Sequence, residues 1–355
     1  MSSKKIMAKE EQSSLIMLLP LDVIVDILAR VSRFDYPILS LVCKHFQSIV
    51  TSPEIFTRRS LLGRTEHCLY VFLVDEDEPV WRKRLYILCP KANGEHRLVL
   101  IRSLPDMPTY ISQTATGSRI YVFSWSNKHH MITLSIDCGS HTVQPLPDVP
   151  VLMSPRMADI IKGRIYVIGY DNGWERVMVV FNTETQMWEP RVIRLDKKGN
   201  KCTDGCAVMG DKMYMRNLSK TLVYDPKESK WERDEMMNLH KWKNACVVDD
   251  VLYFYNPCDF YDREGGLRAY DQKQRRWRVV NGLEPLLPET TSSAWPHVVN
   301  YGGKLALFYL KRNEIWCDEI SLETRQDGEI WGKVEWCERL VTGNFDFMKA
   351  LDVVV

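Results

Sequence analysis

The sequence predicts an all-β repeat domain preceded by a small all-α module, and three observations carry that prediction. An aromatic residue is followed at seven positions by tryptophan three times, at Phe181 and Trp188, Tyr224 and Trp231, and Tyr270 and Trp277. Each pair follows a short apolar run, Arg164–Gly169, Lys212–Met215 and Val251–Phe254, whose tyrosines Tyr166, Tyr214 and Tyr253 lie 48 and 39 positions apart. Upstream, between Leu15 and Gly63, the apolar periodicity is helical instead.

The tyrosine spacing brackets the roughly 40 to 50 residues of a four-stranded propeller blade. Short runs rich in β-branched and aromatic residues, broken by Gly, Asn and Asp, read as strands and tight turns. Asn182–Gln186 and Asp225–Ser229 fit the turns joining the third and fourth strands of a blade. A blade cannot bury both faces alone, so consecutive blades stack around an axis, and the repeated Trp reads as packing. Weaker copies flank the three. Ile120–Phe123 precedes Ile136-Asp137, with Val143 in the Trp slot; Lys304–Phe308 precedes Ile320-Ser321, with Trp331 and Trp336 displaced by an insertion; an earlier copy runs from Leu69–Phe72 through Arg84–Leu88. That makes six blades. An open ring would leave an exposed strand edge, so the last segment, Phe347–Val355, is expected to supply a strand to the blade near residues 69–101.

On these residues, 65–355 resembles a run of kelch repeats. The match includes the apolar-Tyr strand, the aromatic-(Asp/Asn) pair with its Trp, and Ser154-Pro155-Arg156 before the third repeat. The family's Gly-Gly doublet is reduced to Gly169-Tyr170 in one repeat, and Gly302-Gly303 reads as the turn leading into a strand.

In the helical module, Leu19, Val23, Ile24, Ile27, Leu28 and Val31 share one helix face, with Pro20 in the first turn and Asp22 suited to the positive end of the dipole. A second stripe, Leu39, Leu41, Val42, Phe46, Ile49 and Val50, follows Tyr36-Pro37. Ser52-Pro53-Glu54 supplies a cap, a first-position proline and an early acid for a third helix that Gly63 can end. Three short helices bury little apolar surface alone and want a partner.

This segment resembles an F-box, carried by Leu19-Pro20-Leu21-Asp22, Ile27-Leu28, Leu41 to Phe46, Ile49-Val50 and Ser52-Pro53; the family usually has Trp at Phe46. The two modules together, with Ser60 to Glu66 between them, resemble the plant F-box/kelch-repeat proteins. The resemblance implies a disordered segment over 1–14, an F-box over 15–64 and a propeller over 65–355. It implies a non-catalytic substrate receptor of an SCF ubiquitin ligase: the F-box docks on a Skp-type adaptor, and through it a cullin-RING ligase, while the propeller captures a target protein; the alternative is a non-degradative kelch interaction scaffold with a vestigial F-box. Leu19, Pro20, Val23, Ile24, Ile27, Leu28, Leu41, Val42, Phe46, Ile49 and Val50 are then the residues expected to touch the adaptor or hold the helices that do.

Composition fits such a chain. Lys+Arg 47 against Asp+Glu 46 leave a net charge of +1, which offers no electrostatic footprint for nucleic acid or an anionic membrane. The N-terminus lacks a signal-peptide cleavage pattern and the chain lacks an apolar run long enough to span a membrane. Ten scattered cysteines read as reduced core thiols of a cytoplasmic or nuclear protein, and the sequon Asn217-Leu218-Ser219 as chance. No cofactor or metal is expected: the histidines are dispersed, His129-His130 falls in a polar loop, and Cys202 to Cys206 lacks zinc-knuckle spacing. Asp75 to Glu78 reads as a solvated loop, and Arg58-Arg59 either guides docking or suits a helix C-terminus. Trp81, Trp125, Trp174, Trp242 and Trp295 lie outside the repeat slot, several in predicted loops, where aromatics anchor partners; Trp125, Trp174, Trp242 and Trp295 are the candidate target-binding residues, with packing the other reading of each.

Overall fold

The computed structural model describes residues 19–77, 83–108, 111–125, 131–195, 203–217, 220–256, 265–283 and 296–355. The segment 1–14 expected to be disordered lies outside them. The chain divides into two compact units, one reaching His67 and including Cys138–Ser140 and Val354–Val355, the other holding Cys68–Asp137 and His141–Val353.

The first unit is helical: α1 (Leu21–Ala29), a 3-10 turn (Arg33–Asp35), α2 (Tyr36–Leu39), α3 (Lys44–Val50) and α4 (Pro53–Leu61). Pro20 caps α1, its carbonyl accepting from the Val23 and Ile24 amides. The stripe from Leu39 to Val50 is not one helix. Cys43 adopts an extended backbone and its sulfur accepts from the Phe46 amide at 3.4 Å, so α3 starts afresh there and Leu41 and Val42 fall in a turn. Ser52 holds the N-cap position of α4 without a side-chain capping bond, Pro53 and Glu54 fill its first turn as expected, and Gly63 follows it with φ +60°. Ile24, Leu28, Tyr36, Phe46, Ile49, Val50 and Ile55 form the core.

The second unit is a propeller of antiparallel meanders. β1 (His67–Asp75), β2 (Lys83–Pro90) and β3 (His96–Leu100) are completed by β25 (Phe345–Val354), in the order β25-β1-β2-β3. Next come β4 (Ile111–Thr116) to β5 (Arg119–Trp125), β6 (Met131–Asp137) and β7 (Thr142–Pro145), and then β8 (Met153–Ile161), β9 (Arg164–Asp171), β10 (Arg176–Asn182) and β11 (Met187–Trp188), with β12 (Ile193–Arg194) also on β10. β13 (Thr203–Met209), β14 (Lys212–Asn217), β15 (Thr221–Asp225) and β16 (Lys230–Arg233) form another sheet. An eight-stranded sheet joins β17 (Cys246–Val248), β18 (Val251–Asn256), β19 (Gly266–Asp271) and β20 (Arg276–Asn281) to β21 (His297–Tyr301), β22 (Lys304–Lys311), β23 (Glu314–Thr324) and β24 (Ile330–Thr342) through a short parallel pairing of β20 with β24. Counted as two, it brings the described meanders to six. The long β23–β24 hairpin is the insertion that displaced Trp331 and Trp336 from the repeat slot.

The seven-residue spacing has a structural cause. Phe181 stands opposite Trp188, Tyr224 opposite Trp231 and Tyr270 opposite Trp277, with ring centroids 5.1, 4.7 and 4.9 Å apart. Between them, Asn182, Asp225 and Asp271 accept turn amides through their side chains, and Gln186, Ser229 and Arg275 take left-handed backbone, at φ +56°, +52° and +51°. The copy without tryptophan keeps the geometry: Ile136 pairs with Val143, and His141 has φ +53°.

Aromatic rings also join neighbouring meanders. Tyr121 packs on Phe181 of the next meander (5.9 Å), Tyr166 on Tyr224 (6.1 Å), and Tyr214 shares a core with Tyr270. One side chain from the second strand and one from the third therefore recur because each contact spans two blades.

Candidate functional site

Two surfaces emerge, one on each unit. In the helical unit the residues expected to serve adaptor docking separate into two sets. Ile24, Leu28, Phe46, Ile49 and Val50 are buried in the core. Phe46 fills that core, so Phe in place of the usual Trp bears first on packing inside the module. Leu19, Pro20, Val23 and Ile27 are exposed, and Leu41 and Val42 are 85% and 61% exposed. Leu21 and Ile38 are exposed as well and were absent from the expected set. An apolar residue lying off the core-facing stripe is the sequence signal for both.

The two arginines late in α4 both make contacts within the helical unit. Arg59 is buried, donates to the Ala29 and Val31 carbonyls at the end of α1 and to the Tyr36 hydroxyl (3.3 Å), and pairs with Glu66 at 2.9 Å. It therefore supplies the donors that the C-terminus of α1 lacks. Arg58 forks onto Asp26, and that bond holds the Asp26 carboxyl below its usual range.

On the propeller, Trp174 lies in the β9–β10 turn and Trp125 ends β5 at the β5–β6 turn. Turns between the second and third strands of successive meanders share one face, so both residues belong to the same face. Trp174 is 68% exposed and holds a left-handed φ of +59°. The turn fixes it there: its amide donates to the Asp171 carbonyl, the Asp171 carboxylate accepts from the Gly173 and Glu175 amides, and Arg194 bridges Asp171 and Glu175. Trp125 is half-buried.

Trp242 is a correction. It is 0% exposed, packed with Met237, Phe254 and Tyr270, and its ring fills the space a Cβ on Gly205 would need, 2.8 Å away. A side chain so enclosed cannot anchor a partner. Trp295, His129, His130 and Cys202 lie outside the described residues, as do Glu78, Leu218 and Ser219.

Among the described residues no three His, Cys, Asp or Glu side chains converge as metal ligands, and no helix is long and apolar enough to cross a membrane.

Comparison with known proteins bears on both surfaces. The F-box domain family matches residues 16–58, and the FKB95 kelch-repeats domain matches residues 85–341. The F-box/kelch-repeat protein At4g38940 of Arabidopsis thaliana is 43% identical, over 97% of this chain and 96% of its own length. The putative F-box/kelch-repeat protein At3g10510 of the same plant is 34% identical over 92% of each. Among solved structures, TolB from Acinetobacter baumannii superposes with a TM-score of 0.51 at 13% identity, covering 87% of this chain and 72% of TolB, a likeness of fold alone. With both modules matched in order and a relative this similar along nearly its whole length, the chain belongs to the F-box/kelch-repeat family.

Proposed function

We propose that the protein is the substrate-recognition subunit of an SCF-type ubiquitin ligase, working in the cytoplasm or nucleus. In this reading the F-box over 15–64 binds a Skp-type adaptor and the propeller over 65–355 holds a target protein. The observation that carries the reading is the set of exposed apolar side chains, Leu19, Leu21, Val23, Ile27, Ile38, Leu41 and Val42, on a helical unit whose own core is already filled. Exposed apolar residues in such number mark a protein interface. Ile24, Leu28, Phe46, Ile49 and Val50 hold the helices that display them.

For the target, the reading favours the face bearing Trp174 and Trp125. A tryptophan held rigid by its turn loses little entropy on binding and makes a strong anchor. The receptor supplies no chemical step of its own.

Co-expression of the full chain with a Skp-type adaptor, followed by purification through a tag on the chain, tests the proposal. Adaptor retained in equimolar amount supports it. A folded chain that retains none overturns it.

A further inference from the structure

The first strands of the six meanders, β4, β8, β13, β17, β21 and β25, enclose a cavity of about 570 Å3 along the propeller axis. That size suits a small molecule. Among its lining residues, Asp159 of β8, Cys206 of β13, His297 of β21 and Lys349 of β25 come from four different strands, with Lys83, Arg156 and Asp352 also on the wall. The first four form one electrostatic group, because the Lys349 charge acts on Asp159, Cys206 and His297, and Asp159 acts on Cys206. Only the closed ring brings them together.

Their hydrogen bonding is incomplete. Lys349 Nζ donates to the Gln113 carbonyl oxygen at 2.7 Å, and among the described residues that is its one partner. An ammonium carries three donors. One Asp159 carboxylate oxygen accepts from the Ile160 amide at 2.8 Å, and no cation of the described residues comes within ion-pair distance of that carboxylate. Burial pulls the Lys349 amine below its ordinary value and pushes the Asp159 carboxyl above its own.

Two opposite charges, half-buried and held apart, leave donors and an acceptor facing the same space, an arrangement that costs stability when nothing bridges them. A bridging molecule needs an anionic group for Lys349 and a hydrogen-bond donor for Asp159. The Cys206 thiol stays protonated through burial, and His297 is held neutral by burial and by the neighbouring Lys243 and Lys349. Neither adds charge.

We infer that the central cavity binds a small organic carboxylate carrying a donor next to its acid group, a hydroxy acid or an amino acid, with Lys349 taking the carboxylate and Asp159 the donor. The site is independent of adaptor docking, which uses the other unit, so failure of the receptor reading leaves it untouched.

The test is calorimetric titration of the full chain with malate, aspartate and succinate, with sodium chloride at matched ionic strength as the blank. Saturable binding of malate or aspartate is expected, with succinate, which lacks the donor, at least about tenfold weaker. Binding of malate alone identifies the hydroxy acid, and of aspartate alone the amino acid. Lys349→Met should abolish the signal; if that variant fails to fold, the contrast between succinate and the better of malate and aspartate on the wild-type chain decides. A Lys349→Met variant that binds as wild type, succinate equal to the better of the other two, or no heat from any of the three would overturn the inference, the last leaving the cavity to water.

Discussion

Gly169 shows how one residue is fixed by its surroundings. A Cβ there would lie 2.2 Å from the Ser154 carbonyl oxygen, opposite the register shift between Pro155 and Met157. Backbone cannot give way as a side-chain tip can, so Gly169→Ala should lower stability by about 3 kcal/mol, read as a lower denaturation midpoint with circular dichroism. His297 carries a pH-dependent prediction. Burial, with Lys243 and Lys349 nearby, lowers its pKa from 6.5 to about 3. The unfolded chain therefore binds a proton below pH 6.5 that the folded one refuses, and stability falls as pH drops. By pH 5 the wild type should lose on the order of 2 kcal/mol more than a His297→Gln variant; parallel pH profiles would contradict this. At this scale the sequence was legible where chemistry repeats. The aromatic-Asx pair and its Trp could be read because three copies share them. The left-handed positions Gln186, Ser229 and Arg275 could not, since the turns impose that conformation on residues with no preference for it. Asp159, Cys206, His297 and Lys349 sit in four separate repeats, and no linear pattern unites them.

Among the elements, the helices of the first unit depend on Arg59. It closes the end of α1 from within α4 and pairs with the half-buried Glu66. Arg59→Met removes the charge while keeping much of the volume, leaving the helix-end carbonyls without this donor and Glu66 without its ion pair, though the Arg33 amide still donates to Glu66. A loss of about 3 kcal/mol in the stability of this unit is expected, measurable by hydrogen exchange of α1 amides; unchanged protection would refute the role. Sequence periodicity found the apolar stripes but merged two helices, because Leu39 to Val50 keeps helical spacing across a break set by the extended Cys43. It also could not separate side chains that fill the core from those that stay exposed, since Ile24 and Ile27, three residues apart, face opposite fates. Trp242 was misplaced for a related reason. Its neighbours Lys241 and Lys243 are exposed, and a single aromatic between charges looks like a loop until the fold turns it inward.

For the molecule as a whole, closure of the propeller joins the C-terminal strand β25 to β1, as expected from the exposed edge an open ring would leave. Phe347, Ala350, Leu351 and Val353 are buried there, and Phe347 stacks on Phe308 at 4.9 Å. Each larger apolar side chain contributes about 1.5–3 kcal/mol by burial, and domains are stable by only about 5–15 kcal/mol. Deleting residues 346–355 should therefore abolish the cooperative melt; a truncated chain that melts at the wild-type temperature would show that closure is dispensable. The repeat architecture was legible because each Tyr and its aromatic partner in the next meander recur together. The target is not legible in the same way, since surface turns vary on a fixed scaffold.

The central claim is that the exposed apolar residues of the helical unit receive a Skp-type adaptor. The direct measurement is a binding titration of purified adaptor against the full chain and against a Leu41→Asp, Val42→Asp double variant. Because both side chains are exposed, at 85% and 61%, the fold and its melting temperature should be unchanged. Tight binding by the wild type is expected, with a loss of about 100-fold in the variant, close to 2.7 kcal/mol. Equal affinity for both chains would contradict it.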